Sequence, residues 1–370
     1  MRKKVLVAMS GGVDSSVSAL LLKKEGFDVA GITMYIEIKD KTSTKPLFCG
    51  KKSVENAKNI CKKIAIEHYT VDFSDIFHKK VVDNFISEYS NARTPNPCVV
   101  CNRFIKFNAL YKKAISLGFD YLATGHYAKI DNKNEIYFMR KPKDKAKDQT
   151  YFLYAIDRNL LKNIIFPLNS LTKNEIWDIA RENNLFSEKK SQSQDICFIP
   201  DGNYTEFITK KTGFNCEKEG TIFDLNGKAL GKHKGIMFYT RGQRGGLGIS
   251  HKEPLYVIDI DPLRNAIIVG EKKHLGSRSL LADNLNLFFD KFPDKLYAKI
   301  RYNHKEAPCK VRFQNNKAEV IFDEKQSAIT PGQSVVFFFD DVVYGGGIIR
   351  KSFITEDKKE ASIETSGKNK

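Results

Sequence analysis

The apolar residues in the first third of the chain fall in short, β-branched runs separated by amphipathic stretches. Residues 4–9 form an apolar run short enough for a buried strand. It breaks at Ser10-Gly11-Gly12, and Asp14-Ser15-Ser16 opens a helical pattern running to Glu25. Residues 28–33 predict a second buried strand ending at Met34, and the polar stretch 36–52, with Pro46 and Gly50, predicts a long loop. Helical periodicity follows over 53–64, a strand over 68–71 and a helix over 77–89. Pro95 and Pro97 make 93–102 irregular; 106–117 is helical, stopped by Gly118, and 121–124 is a strand. Strands alternating with helices predict an α/β fold with a doubly wound parallel sheet. Ligands of such sheets bind beyond the carboxyl ends of the strands. The first glycine turn, Met34 and Gly125-His126 then lie on one rim.

The periodicity changes further on. Residues 134–140 read as a hairpin strand, and 140–147 hold five cations in eight residues before Asp148-Gln149-Thr150-Tyr151-Phe152. Such a run is often plain solvated surface, but its polar and aromatic end favours RNA contact. Thr172 and Glu175 have capping-box spacing and open a helix to about Asn184. Beyond Pro200, a hairpin turning at Asn226-Gly227, a glycine-rich basic loop at 239–248 and strands at 255–259 and 266–269 predict a small, mostly β central domain. Close-set strands at 297–302, 309–313, 318–322, 334–339 and 342–349 predict a C-terminal β-barrel. The expected division is 1–204, 205–275 and 276–355, with a disordered, aromatic-free tail at 356–370.

Composition narrows the partners. At 370 residues and 41% hydrophobic the chain can bury several cores, and no apolar run approaches the ~20 residues of a membrane span. Met-Arg-Lys-Lys and five apolar residues imitate a secretion signal, but the run is too short and ends in glycines, so a soluble cytoplasmic protein is expected. The net charge of +17 suits a polyanionic partner, although a generally basic composition gives the same figure. The seven cysteines are odd in number and scattered, unlike a secreted disulfide scaffold.

Two features ask for chemistry. The strand–glycine turn–helix at 4–25 puts flexible backbone, the hydroxyls of Ser15 and Ser16 and a helix N-terminus together, a cradle for phosphate. It is not a Walker A loop, since no Gly-Lys-Ser/Thr follows. The second feature is Cys98-Val99-Val100-Cys101 in a proline-rich loop, with the lone Cys197 some 96 positions later. A C-x-x-C pair can be half a zinc site, a redox pair or part of an iron–sulfur site. No second C-x-x-C and no H-x₃₋₅-H is found, which weakens zinc. Cys49, Cys61, Cys216 and Cys309 look like ordinary small residues.

Ser-Gly-Gly-Val-Asp-Ser-Ser resembles the pyrophosphate loop of the ATP-pyrophosphatase (N-type) superfamily, whose members adenylate an oxygen so that a nucleophile can displace it. Six further stretches, in order, narrow the resemblance to the tRNA-specific 2-thiouridylase MnmA (TrmU) family. They are Thr-Pro-Asn-Pro-x-x-x-Cys-Asn-x-x-Ile-Lys-Phe, Ala-Thr-Gly-His-Tyr, Lys-Asp-Gln-x-Tyr-Phe-Leu, Ser-Gln-Asp-Ile-Cys-Phe-Ile, Gly-Gln-Arg-x-Gly-Leu-Gly-Ile and Thr-Pro-Gly-Gln-Ser. The resemblance implies ATP-dependent replacement of oxygen by sulfur at C2 of the wobble uridine of tRNA. It implies ATP at Ala8, Met9, Ser10, Gly11, Gly12, Val13, Asp14, Ser15, Met34 and Gly125, with Mg²⁺ bridging the phosphates. Cys197 would carry sulfur as a persulfide, delivered by a cysteine desulfurase or sulfur relay protein. Cys101 would be the second catalytic cysteine, reducing the persulfide or forming a disulfide with Cys197. Asn96, Pro97 and Cys98 would face the target base, and His126, Lys147, Asp148, Gln149, Arg301, Tyr302 and Gln333 would contact tRNA.

Cys98 departs from relatives that carry Asp there. It opens an alternative in which Cys98, Cys101 and Cys197 ligate a [4Fe–4S] cluster. An amidating synthetase of the same superfamily would have no use for the cysteine loops or a basic barrel. A non-catalytic RNA-binding protein would have no use for the intact glycine loop.

Overall fold

The computed structural model describes residues 2–38, 47–186, 196–199, 202–212 and 218–354. The chain begins with β1 (Lys4–Ala8), β2 (Asp28–Ile38), a short β3 (Leu47–Cys49), β4 (Glu67–Asp72) and β5 (Tyr121–Thr124). A hairpin of β6 (Lys129–Lys133) and β7 (Ile136–Arg140) follows, then β8 (Ile164–Ile165). β4, β2, β1, β5 and β8 lie side by side and all pair in parallel, as the alternating pattern predicts. The chain reverses its direction of build at β1, so the crevice between the ends of β1 and β5 is the topological switch point.

Helix α1 (Val13–Lys24) and helix α2 (Lys51–Lys63) pack with Val5, Val7 and Val29 in one core, which the helix Lys173–Glu182 closes through Ile176, Trp177 and Ala180. The expected capping box of that last helix is complete: Thr172 Oγ1 accepts from Glu175 N, and Thr172 N donates to Glu175 Oε2. The buried Cys61 thiol sits so close to Gly31 that any β-carbon there would lie 2.6 Å from its sulfur. Burial pushes the Cys61 and Cys309 thiols up to about 11 and about 12, in keeping with inert packing roles. Cys216 lies outside the described residues.

The structure corrects three readings. Residues 36–52 are not one long loop: β2 continues to Ile38, burying Ile36 and Ile38 on alternate positions, and β3 pairs antiparallel to this extension. Residues 93–102 are not irregular throughout, because Pro97 occupies the first turn of a helix, Pro97–Cys101, where its missing N–H costs nothing. The 12-residue strand Gly276–Leu287, rich in Ser, Asp and Asn, escapes the sequence pattern although it pairs with two neighbours.

The central sheet runs Ala229–His233, Gly220–Phe223, Ala266–Gly270, Tyr256–Asp261, with the hairpin turn at Asn226-Gly227 as predicted. The six strands from Gly276–Leu287 to Val342–Ile354 close into an antiparallel barrel. The β6–β7 hairpin, turning at Asn134 and Glu135 with positive φ, does not stay with the parallel sheet. Its β7 pairs with the barrel strand Val342–Ile354, giving eight strands in one continuous sheet.

One hydrophobic core therefore spans two domains: Met139, Tyr151 and Tyr154 pack with Val336, Phe338 and Val343 of the barrel. Phe338 is fully buried, and the Lys141 ammonium lies 4.7 Å from its ring centre. Replacing Phe338 by Ala is expected to destabilise the protein by roughly 3–5 kcal/mol. Because the core is shared, urea unfolding followed by far-UV and near-UV circular dichroism should lose barrel and parallel sheet together; loss of the barrel signal alone would contradict this.

Candidate active site

The strand-end rim carries a built phosphate cradle. β1 ends at Ala8, and the backbone turns through Ser10–Gly12 into α1, with Gly12 as its N-cap and no side-chain cap. The serines brace this turn: Ser15 Oγ donates to Gly12 O (3.1 Å) and accepts from Ser10 N (3.2 Å), while Ser16 Oγ donates to Gly12 O (2.8 Å). The helix N-terminus leaves first-turn N–H groups for an anion. Gly125, one residue past β5, packs directly on it: a β-carbon there would lie 2.8 Å from Asp14 C and Ser15 N. A β-carbon on Gly11 would lie 2.8 Å from Asn56 Cβ, so the start of α2 closes the other side. Met34, half-buried on β2, completes the rim.

Asp14 is the anchor. Its carboxylate accepts from Lys173 Nζ at 2.6 and 2.8 Å and from Tyr127 OH at 2.7 Å. Lys173 also faces the rings of Tyr127 and Trp177.

The thiols gather nearby, by two devices. Cys98 and Cys101 share one face of the Pro97–Cys101 helix, capped by Asn96 Oδ1 accepting from Val99 N (3.3 Å). The chain then widens into a π-helical segment, Asn102–Leu110, broken at Phe107. The wider turn brings Lys106 round toward the cysteine face. Cys197 arrives from far along the chain because its neighbours Phe198 and Ile199 bury themselves beside Phe77, Phe85 and Ile105, in the cluster that also touches Cys101. Residues 191–195 of that stretch lie outside the described residues.

Electrostatics tie the group together. Burial pushes the Cys101 thiol up to about 12 and raises that of Cys98; the Lys106 ammonium pulls both back, and Cys197 raises each. Lys106 Nζ lies 3.3 Å from His126 Nε2, and His126 Nδ1 lies 2.7 Å from Thr124 Oγ1. Burial, and then Lys106, hold His126 well below its ordinary pKa, so the ring is neutral, with Nδ1–H donating to Thr124 and Nε2 accepting from Lys106. Among the described residues no three His, Cys, Asp or Glu side chains form a metal-binding group.

The expected RNA contacts divide. Tyr302 lies against Phe152, ring centres 4.6 Å apart, with Lys299 over its face; burial, and then the nearby Asp148 carboxylate, raise its pKa. This joins the 147–152 segment to 301–302. Asp148, however, is buried and accepts from Thr150 N and Oγ1, and Gln149 exchanges hydrogen bonds with the Tyr127 backbone. Arg301 donates to the carbonyls of Ser327 and Ala328, and Gln333 to those of Thr94 and Pro95. Lys147 is half-exposed.

Sequence models of known families match the chain nearly end to end: a tRNA methyl transferase HUP domain over residues 3–201, a tRNA methyl transferase PRC-barrel domain over 205–271 and an aminomethyltransferase beta-barrel domain over 277–349. A tRNA-specific 2-thiouridylase MnmA of Carboxydothermus hydrogenoformans is 45% identical over 359 residues, covering 95% of this chain and 98% of its own. Those of Halothermothrix orenii and Caldicellulosiruptor saccharolyticus are each 47% identical, over 95% and 96% of this chain and 99% and 100% of theirs. The chain belongs to the tRNA-specific 2-thiouridylase MnmA family.

Three residues of this MnmA-family site carry no role in the sequence reading. Tyr127 and Lys106 stand inside quoted motifs without assignment, and Lys173 is hidden in a capping sequence. Lys106 yields a direct test. Its charge favours the thiolate forms, so Lys106→Ala is expected to raise the Cys98 pKa further and slow its alkylation by iodoacetamide at pH 8 about three- to tenfold. Lys106→Arg should retain most of the rate. Peptide mass spectrometry separates Cys98 from Cys197, and an unchanged Cys98 rate in Lys106→Ala would show that the ammonium does not reach the thiol.

Proposed function

We propose that the protein catalyses ATP-dependent 2-thiolation of the wobble uridine of tRNA. The observation that carries this reading is one rim on which a phosphate cradle and two cysteine segments meet through the Thr124–His126–Lys106 chain. ATP lies in the cradle at Ala8–Ser15, with Met34 and Gly125 at the adenosine. The uridine O2 attacks the α-phosphorus, pyrophosphate leaves, and C2 acquires a good leaving group.

A donor protein, a cysteine desulfurase or a sulfur relay protein, first leaves a persulfide on Cys197. Its terminal sulfur attacks C2 and AMP departs. The Cys101 thiolate then attacks Cys197 Sγ, the S–S bond breaks toward the sulfur held on C2, and a Cys101–Cys197 disulfide remains for a thiol reductant to reopen. Asn96, Pro97 and Cys98 would face the incoming base, with Cys98 the exposed member of the three and Pro97 buried behind it. Lys147 and Tyr302 offer a cation and a ring to the RNA, while Asp148, Gln149, His126 and Arg301 hold the surface that presents them. The work on tRNA fits a cytoplasmic enzyme, and among the described residues no helix is long and apolar enough to cross a membrane.

Mg²⁺ would be held by phosphate oxygens and water, since among the described residues no carboxylate set is assembled for it; it would neutralise the phosphates. Among the described residues Cys98, Cys101 and Cys197 do not stand as a preformed metal-binding group; the [4Fe–4S] alternative would take these three thiolates as its ligands.

Gly125→Ala should force the two loops apart and lower the thiolation rate about 10- to 100-fold, read by single-turnover assay; an unchanged rate would remove ATP from this crevice. In a strain lacking the gene, mass spectrometry of tRNA nucleosides should show no 2-thiouridine. The wild-type gene should restore it and Cys197→Ser or Cys101→Ser should not. Full restoration by either variant would overturn the relay. Stoichiometric iron and acid-labile sulfide in anaerobically purified protein, lost in Cys98→Ala, would replace it by a cluster.

A further inference from the structure

The barrel reaches the cysteine helix through one short loop. On the barrel side this loop is fixed: Gly332 N donates to Ile349 O and Ile349 N to Gln333 O, each at 2.8 Å. On the other side, Thr94 N donates to Pro331 O (2.9 Å), and Gln333 Nε2 donates to Thr94 O (3.0 Å) and Pro95 O (3.2 Å). There is no clearance between the two. Gly332 has a φ of +91°, and a β-carbon on it would lie 2.7–2.9 Å from the O, N and C atoms of Thr94.

The gripped residues immediately precede Asn96, the cap of the Pro97–Cys101 helix. A second barrel contact braces the same cap. Tyr151 OH donates to Ser334 O (3.1 Å), and the Asn96 side chain stands close enough to the same hydroxyl to offset part of the rise that burial gives its pKa. An amide spent on two carbonyls has no donor left for a phosphate.

We propose that Gly332 and Gln333 are positioning residues: the barrel grips the backbone at Thr94–Pro95 and thereby aims Cys98 and Cys101 at the reacting base. The proposal deepens the thiolation reading and rests on it for the rate measurement alone.

The test compares wild type, Gln333→Ala and Gln333→Glu, the latter keeping the size of the side chain and losing its donors. Three quantities are read: the Kd for tRNA, the single-turnover rate of 2-thiouridine formation at saturating tRNA, and the alkylation rates of Cys98 and Cys101 without tRNA. The expected result for both variants is a Kd within about twofold of wild type, a turnover rate lowered about three- to tenfold and altered alkylation rates. A raised Kd with turnover and alkylation unchanged would make Gln333 a plain RNA contact and overturn the proposal, as would no change in any of the three. Should the wild-type enzyme form no 2-thiouridine, the thiolation reading fails while the alkylation rates still decide the grip. Gly332→Ala should exceed both Gln333 variants; if it does not fold, the Gln333 variants carry the decision.

Discussion

The ion pair between Asp14 and Lys173 is the constraint on which the rim depends. It joins the first turn of α1 to the first turn of a helix 159 residues away, and each side chain keeps only 16–17% of its surface exposed. Losing one partner of a fully buried pair costs roughly 3–5 kcal/mol; partial exposure lowers that figure here. The pair also organises its surroundings. Tyr127 shares the carboxylate, Gln149 holds Tyr127 by its backbone, and the helix beginning at Thr150 carries Phe152 to Tyr302. The phosphate cradle and the proposed RNA surface are thus ends of one chain of hydrogen bonds and a closing ring contact.

The thiol site works by opposition. Burial disfavours a thiolate at Cys101 and Cys98, and the Lys106 ammonium beside them favours it. Such a site keeps the Cys101 thiol protonated at rest and lets a modest rearrangement of Lys106 change its nucleophilicity. The neutral His126 suits this balance, because a charged imidazole 3.3 Å from the Lys106 ammonium would repel it and add a second positive charge in favour of the thiolates.

Local chemistry was legible in the sequence and distant chemistry was not. The Thr172–Glu175 cap and the Asn226-Gly227 turn depend on neighbours within a few residues, and both read correctly. Pro97 misled because proline breaks a helix interior yet suits its first turn. The Ile36–Ile38 extension was lost among polar residues that owe their strand to β3, and Gly276–Leu287 owes its own to two pairing partners. Among the site residues, the glycine loop and the three cysteines announced themselves by type and spacing. Lys106, Tyr127 and Lys173 are ordinary residues made functional by what folding sets beside them, and a pattern along one chain does not display that.

The β6–β7 hairpin has a consequence for synthesis. It is translated with the parallel sheet, but the strand that pairs with β7 begins at Val342, some 202 residues later. Until then the emerging chain carries an unpaired strand edge and the apolar side chains of Met139, Tyr151 and Tyr154 without their barrel cover. The hairpin that follows the parallel sheet is therefore completed by a strand translated long after it. A chaperone that shields that edge in the interval would meet the hairpin first.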